Sequence, residues 1–110
     1  MVIKIKFLKL SEMVKNEYLI GRAPHCDLIF GKGLSEDFLL YISKEHFRVK
    51  RVLVSNSNEN DYAVHLTDLS FNGTFLNGRR IGKGQSSILE NNDEISLAFP
   101  NFKGKSDIKK

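Results

Sequence analysis

Polar and apolar residues alternate along most of this chain with a period of two, not 3.6. Ile3, Ile5 and Phe7 interleave with Lys4 and Lys6, which predicts a half-buried strand over Val2 to Leu10. Ser11 to Asn16 reads as a turn, Glu17 to Gly21 as a second strand ending on a glycine, and Cys26 to Phe30 as a short third. Phe47 to Val54 alternates at first and then becomes wholly apolar, and Tyr62 to Leu66 alternates again. Thr74-Phe75-Leu76 is a very short strand and Ile88-Leu89 a short apolar element. Glu94 to Phe99 is the last strand, stopped by Pro100, which has no N–H to give to a ladder. Polar or glycine-rich connections lie between them, notably Gly31 to Asp37, Ser55 to Asp61, Gly82-Lys83-Gly84 and Asn91-Asn92-Asp93. No window sustains an i, i+3, i+4, i+7 pattern, so helix content should be near zero. Roughly ten short strands separated by turn residues predict an all-β sandwich, with any function carried on loops at one end.

The most informative stretch is Ser70 to Gly78, which holds two Asn-Gly pairs, Asn72-Gly73 and Asn77-Gly78, around Thr74-Phe75-Leu76. Both residue types tolerate positive φ at little cost, so each pair predicts a tight turn. Two pinned turns around three residues imply loop geometry held for binding. Gly21-Arg22 upstream and Ser43-Lys44-Glu45-His46 between them are the pieces expected to serve the same loops.

Composition changes this picture little. At 110 residues, 41% hydrophobic and 27% charged, the chain reads as one ordinary soluble domain. No apolar run approaches the ~18–20 residues of a membrane span, and the alternating first residues lack a signal-peptide core. One cysteine, Cys26, excludes an internal disulfide framework and fits a reducing compartment. A thiolate zinc site is equally unsupported, and no metal or cofactor is expected. The net charge of +4 is concentrated: residues 103–110 hold four lysines against Asp107, +3 of the total, leaving +1 for the rest. Such a tail reads as a solvated linker, and direct nucleic-acid binding is not expected.

The chemistry those loops offer is cationic and hydrogen-bonding. Arg22 follows a strand-ending glycine, and an arginine suits bidentate capture of a phosphate. Ser43 supplies a hydroxyl, Lys44 a mobile charge, and Asn72 an amide that can both donate to and accept from an extended peptide. Taken singly each has a plainer reading, since lone turn arginines are usually surface residues and serines beside strands usually cap. His46 lies three residues from Ser43, but a serine nucleophile also needs an orienting acid and an oxyanion hole, and no Gly-x-Ser-x-Gly elbow is present. A buried histidine that bonds loop backbone is the expected role. His25 and His65 lack metal-ligand spacing. Neither Gly31-Lys32-Gly33 nor Gly82-Lys83-Gly84 fits a nucleotide phosphate loop.

Gly21-Arg22, Ser43-x-x-His46, Asn72-Gly73-Thr74 and Asn77-Gly78, in this order on an all-β chain, resemble the forkhead-associated (FHA) domain from about Tyr18 to Phe99. Ser43 to Arg48 and Gly82 to Ile95 are most similar to the FHA domains of checkpoint effector Ser/Thr kinases. The resemblance implies a sandwich of two twisted, largely antiparallel sheets, about eleven strands, over residues 1–102, with 103–110 as a basic tail or linker. It implies a phosphothreonine-peptide recognition module and not an enzyme, the amino-terminal targeting domain of a nuclear checkpoint-type kinase in DNA-damage or cell-cycle signalling. Carried over by position, Arg22 and Ser43 bond the phosphate, Lys44 adds charge, and Asn72 holds the peptide main chain. Tyr41 and Phe71 stand where specificity is set, and as aromatics they favour an apolar or mixed residue C-terminal to the phosphothreonine. Gly21, His46, Gly73 and Thr74 shape the loops, and Asn77 ties neighbouring loops together. The expected partner is a phosphothreonine-bearing protein, including another copy of the full-length protein, with no membrane. A phosphate-independent scaffold using a sandwich face is the alternative.

Overall fold

The computed structural model describes residues 3–7, 13–31, 36–54 and 62–97. Among them run β1 (Ile3–Phe7), β2 (Glu17–Gly21), β3 (Leu28–Ile29), α1 (Glu36–Leu39), β4 (Phe47–Leu53), β5 (Tyr62–Asp68), β6 (Thr74–Leu76), β7 (Arg79–Arg80), β8 (Ser86–Leu89) and β9 (Asp93–Leu97). They form two sheets, ordered β1-β9-β6-β7 and β3-β2-β4-β5-β8. Every pairing is antiparallel except β2 with β3, which is parallel and sets Ile20 beside Leu28. The all-β sandwich expected from the alternation is therefore the observed fold.

The period-two pattern translates directly into burial. In β5 the side chains of Val64, Leu66 and Asp68 are buried while Ala63, His65 and Thr67 are half-buried. Phe47 and Val49 of β4 join Ile20 of β2, Leu89 of β8 and Ile95 and Leu97 of β9 in one apolar interior. Each such side chain removed from water contributes about 1.5–3 kcal/mol. The apolar run at the end of β4 does not join it: Val52, Leu53 and Val54 are 40–51% exposed, beside Tyr62 at 44%.

Several boundaries differ from expectation. Nine strands, not eleven, lie within the described residues. The third strand shrinks from Cys26–Phe30 to two residues because Cys26 N–H turns back to the Ala23 carbonyl at 3.1 Å. Asp27 sits beside Leu19, receiving its N–H at 2.7 Å on Oδ2. β5 runs to Asp68, two residues past the predicted end at Leu66. A single helical turn, α1, ends the connection read as Gly31 to Asp37. Glu36 and Asp37 in its first turn suit the positive end of a helix. Expectations for Val2, Leu8 to Leu10, the loop 55–61, Ala98, Phe99, the boundary at 102 and the tail 103–110 lie outside the described residues.

The pairing order decides where the loops gather. Ile20 pairs with Phe47, and Phe47 pairs with Asp68. The end of β2, the start of β4 and the end of β5 therefore stand in one row across a sheet. The connections leaving that row carry Arg22, Ser43 and Asn72.

Candidate functional site

The first contact between these connections is main chain on main chain. The Lys44 carbonyl accepts the N–H of Arg22 at 3.1 Å and of Ala23 at 3.0 Å. It also takes the Cys26 thiol at 3.2 Å. A Cβ at position 21 would stand 2.2 Å from that same oxygen, so only glycine allows β2 to pass so close. Burial pushes the Cys26 thiol up from its ordinary value, consistent with a structural sulfhydryl. An outer tie joins the same loops, where His25 Nε2 and Glu45 Oε2 lie 2.6 Å apart.

His46 joins the second loop to the third. Its Nδ1 accepts the Ser43 N–H at 3.0 Å, which leaves Nε2 to carry the proton and donate to the Gly73 carbonyl at 2.9 Å. The imidazole is fully buried, and burial lowers its pKa against the smaller opposing pull of the Gly73 carbonyl and Asp68. The ring is held neutral in one tautomer. Because Nδ1 faces the backbone N–H of Ser43 and not its hydroxyl, the two residues do not form a nucleophile–base pair.

The third loop, residues 69–73, hangs on a carboxylate that sequence reasoning did not single out. Asp68 Oδ1 accepts the Ser70 N–H at 2.9 Å, the Ser70 hydroxyl at 2.6 Å and the Thr74 hydroxyl at 2.8 Å. Oδ2 accepts the Gly82 N–H at 3.1 Å. Ser70 Oγ in turn accepts the Gly73 N–H at 2.9 Å. Asp68, Ser70 and Thr74 are all buried, so these bonds replace water that has been excluded. The available signal was Asp68-x-Ser70 at a strand end, the spacing at which an acidic side chain caps a backbone N–H two residues on.

On this frame the sequence-predicted recognition residues are brought to one end. Arg22 donates from Nε to the Ile42 carbonyl at 3.0 Å, which fixes the guanidinium beside Ser43, and its terminal nitrogens have no hydrogen-bond partner among the described residues. No carboxylate pairs with it among the described residues. Ser43 Oγ accepts the Phe71 N–H at 2.9 Å, so its own proton points elsewhere. Asn72 donates one N–H to the Tyr41 carbonyl at 3.3 Å, and its amide oxygen has no partner among the described residues. Lys44 and Phe71 are exposed, Phe71 at 78%, and Tyr41 is half-buried. Gly21, Gly73 and Thr74 lie buried beneath them.

Asn77 is the exception in position. It sits at the far end of β6, where Asn77 (φ 50°) and Gly78 (φ 86°) form a two-residue hairpin into β7. Its side chain donates to Asp93 Oδ1 at 3.0 Å and accepts the Glu94 N–H at 2.9 Å, linking that hairpin to the start of β9. Asn72-Gly73, by contrast, is not a hairpin turn. It lies in the crossing from β5 to β6, from one sheet to the other, and only Gly73 has positive φ, 122°.

Guanidinium, ammonium, hydroxyl and amide groups thus gather on loops at one end of a β-sandwich, the arrangement of a binding module. The chain belongs to the FHA family: the FHA domain model matches residues 18–98. The Drosophila melanogaster ovarian-specific serine/threonine-protein kinase Lok is 40% identical over 93 residues, 84% of this chain and 19% of the kinase. The chain thus spans about a fifth of that relative's length. The solved MEK1 FHA domain matches with a TM-score of 0.63 at 22% identity, over 89% of this chain and 81% of that one. The N-terminal FHA domain of S. cerevisiae Rad53p, solved with a phosphothreonine peptide, matches with a TM-score of 0.58 at 24% identity, over 96% and 86%. At these identities the structural likeness speaks to fold.

Proposed function

We propose that the end of the sandwich carrying Arg22, Ser43 and Asn72 recognises phosphothreonine in an extended peptide. The observation that supports it most is that the Arg22 guanidinium and the Ser43 hydroxyl are fixed by backbone contacts with donors left over. A phosphate monoester carries about −1.5 to −2 charge near neutral pH and offers three acceptor oxygens, which suits that set. Lys44 adds charge from a flexible stem, and Asn72 grips the main chain beside the phosphothreonine through its open amide oxygen and second N–H. Tyr41 and Phe71 flank the exit of the ligand and favour an apolar or mixed residue C-terminal to it. The threonine methyl, once buried, is worth about 0.8 kcal/mol over phosphoserine, and ~1–3 kcal/mol in a tight pocket. Few anchors on a flexible peptide set an affinity near micromolar, about −8 kcal/mol.

The kinase relatives and the short share of their length matched here support a further placement: the recognition domain of a nuclear checkpoint-type Ser/Thr kinase, acting in DNA-damage or cell-cycle signalling. A phosphothreonine on a second copy of that full-length protein would be a ligand of the same chemistry. A titration of phosphothreonine peptides against wild type and Arg22→Ala tests the core of this reading. Binding should fall at least tenfold in Arg22→Ala and less in Lys44→Ala. Equal binding of the dephosphorylated peptide would end it. A phosphate-independent scaffold using a sandwich face is the second reading, favoured by Val52 and Ile88, both exposed on the outer face of one sheet. Its sign is partner binding that survives Arg22→Ala.

A further inference from the structure

Glu45 puts a carboxylate into the same stretch of chain that supplies Ser43 and Lys44 to the candidate site. Two residues of chain span at most about 7 Å, so the Glu45 backbone stands that close to Ser43. This is inside the ~10 Å over which charges act on one another at 0.1 M salt. A glutamate side chain free to move here would repel a phosphate held at Ser43. It would also compete with that phosphate for the Lys44 ammonium and for the guanidinium of Arg22, whose own N–H bonds the Ser43 and Lys44 carbonyls.

The carboxylate is engaged elsewhere. His25 Nε2 donates to Glu45 Oε2 at 2.6 Å, and neither Arg22 nor Lys44 meets a carboxylate among the described residues. Glu45 also adds to the upward push that burial gives the Cys26 thiol, which puts its charge on the side of the first loop. The other acids near this end are placed differently. Asp68 is buried with both oxygens bonded, and Asp27 is tied to Lys15 and to the Leu19 N–H.

The His25–Glu45 pair is not what joins the two loops. The Lys44 carbonyl already takes the N–H groups of Arg22 and Ala23 and the Cys26 thiol. With side chains 57% and 49% exposed, the pair adds little to such a junction. What it does decide is where a negative charge sits.

We propose that His25 is a positioning residue for the phosphate site: it holds the Glu45 carboxylate off Arg22 and Lys44 and so keeps their donors open to a phosphorylated ligand. The proposal rests on the phosphothreonine reading and adds to it a residue that acts only through Glu45.

The experiment titrates one phosphothreonine peptide and its dephosphorylated twin against wild type, H25A, E45Q and H25A/E45Q. At low salt H25A should bind the phosphopeptide roughly three- to fivefold more weakly, and at 0.5 M salt the deficit should shrink below about twofold. E45Q should bind at least as tightly as wild type, and H25A/E45Q should recover the E45Q affinity. Unfolding midpoints of all four should agree within about 3 °C, as expected for an exposed pair. Unchanged binding in H25A, a deficit that persists in H25A/E45Q, or a loss in E45Q equal to that in H25A overturns the proposal, the last two because they would make the pair a brace. Failure of the phosphothreonine reading looks different: wild type would then bind the dephosphorylated twin equally well, and Arg22→Ala would change nothing.

Discussion

Asn72-Gly73 and Asn77-Gly78 are the same dipeptide five residues apart, and the fold uses them oppositely. At 77–78 both residues take positive φ and reverse the chain locally, with the asparagine side chain tied at the surface to the start of β9. At 72–73 only the glycine is left-handed, and the asparagine keeps most of its amide for solvent. What differs is not the dipeptide but what lies behind it. The second pair closes a hairpin whose strands do the holding, whereas the first is suspended from Asp68, Ser70 and His46. A turn that organises itself can spend its side chain on structure. A loop held from behind can spend it on a ligand.

The contrast can be broken most severely at its support. Asp68→Ala leaves buried donors from Ser70, Thr74 and Gly82 without their acceptor, and should lower stability by about 3–4 kcal/mol in urea unfolding. Asp68→Asn should be milder. If Asp68→Ala proved neutral, the loop would not be suspended as described. Next comes the pair of glycines. Gly73→Ala forces a side chain into φ 122° and within 3.0 Å of Phe75, and should cost about 2–3 kcal/mol. Gly78→Ala meets open space and should cost about 1 kcal/mol. The reverse order would contradict the division drawn here.

The two asparagines sharpen it further by trading places between assays. Asn77→Ala should lower stability by about 1–2 kcal/mol and leave phosphopeptide affinity unchanged. Asn72→Ala should move stability by less than ~0.5 kcal/mol yet weaken the peptide tenfold or more. The smallest effect belongs to pH. Above about 6.5 both folded and unfolded chains carry a neutral imidazole at position 46, and nothing is lost. Below it the unfolded chain takes up a proton that the buried ring resists, so stability should fall as pH drops from about 6.5 toward the lower folded-state value. Unfolding curves from pH 8 to 5 should show this fall, and it should be absent in His46→Gln.

The sandwich was legible in the sequence because alternation is local: Val64, Leu66 and Asp68 face inward by the pleat alone. Asp68 shows the limit of that reading. Its place in the alternation follows from the pleat, but its role depends on Gly82, fourteen residues away, whose N–H it receives. Gly21 was singled out as a loop-shaping residue, and its cause likewise lies far along the chain, in the Lys44 carbonyl. The two Asn-Gly pairs carried the same local signal and could be separated only by knowing that β5 and β6 belong to different sheets. The parallel β2–β3 contact left no mark on the pattern either, since it follows from a turn in which Cys26 bonds back to Ala23.

The junction at the Lys44 carbonyl is built from peptide groups and one thiol, not from the side chains that face the solvent there. Positions 22, 44 and 45 can therefore be exchanged in sequence while the geometry that presents them persists. A scaffold fastened in this way lets selection rewrite what is recognised without renegotiating how the domain folds, and it offers an engineer the same liberty.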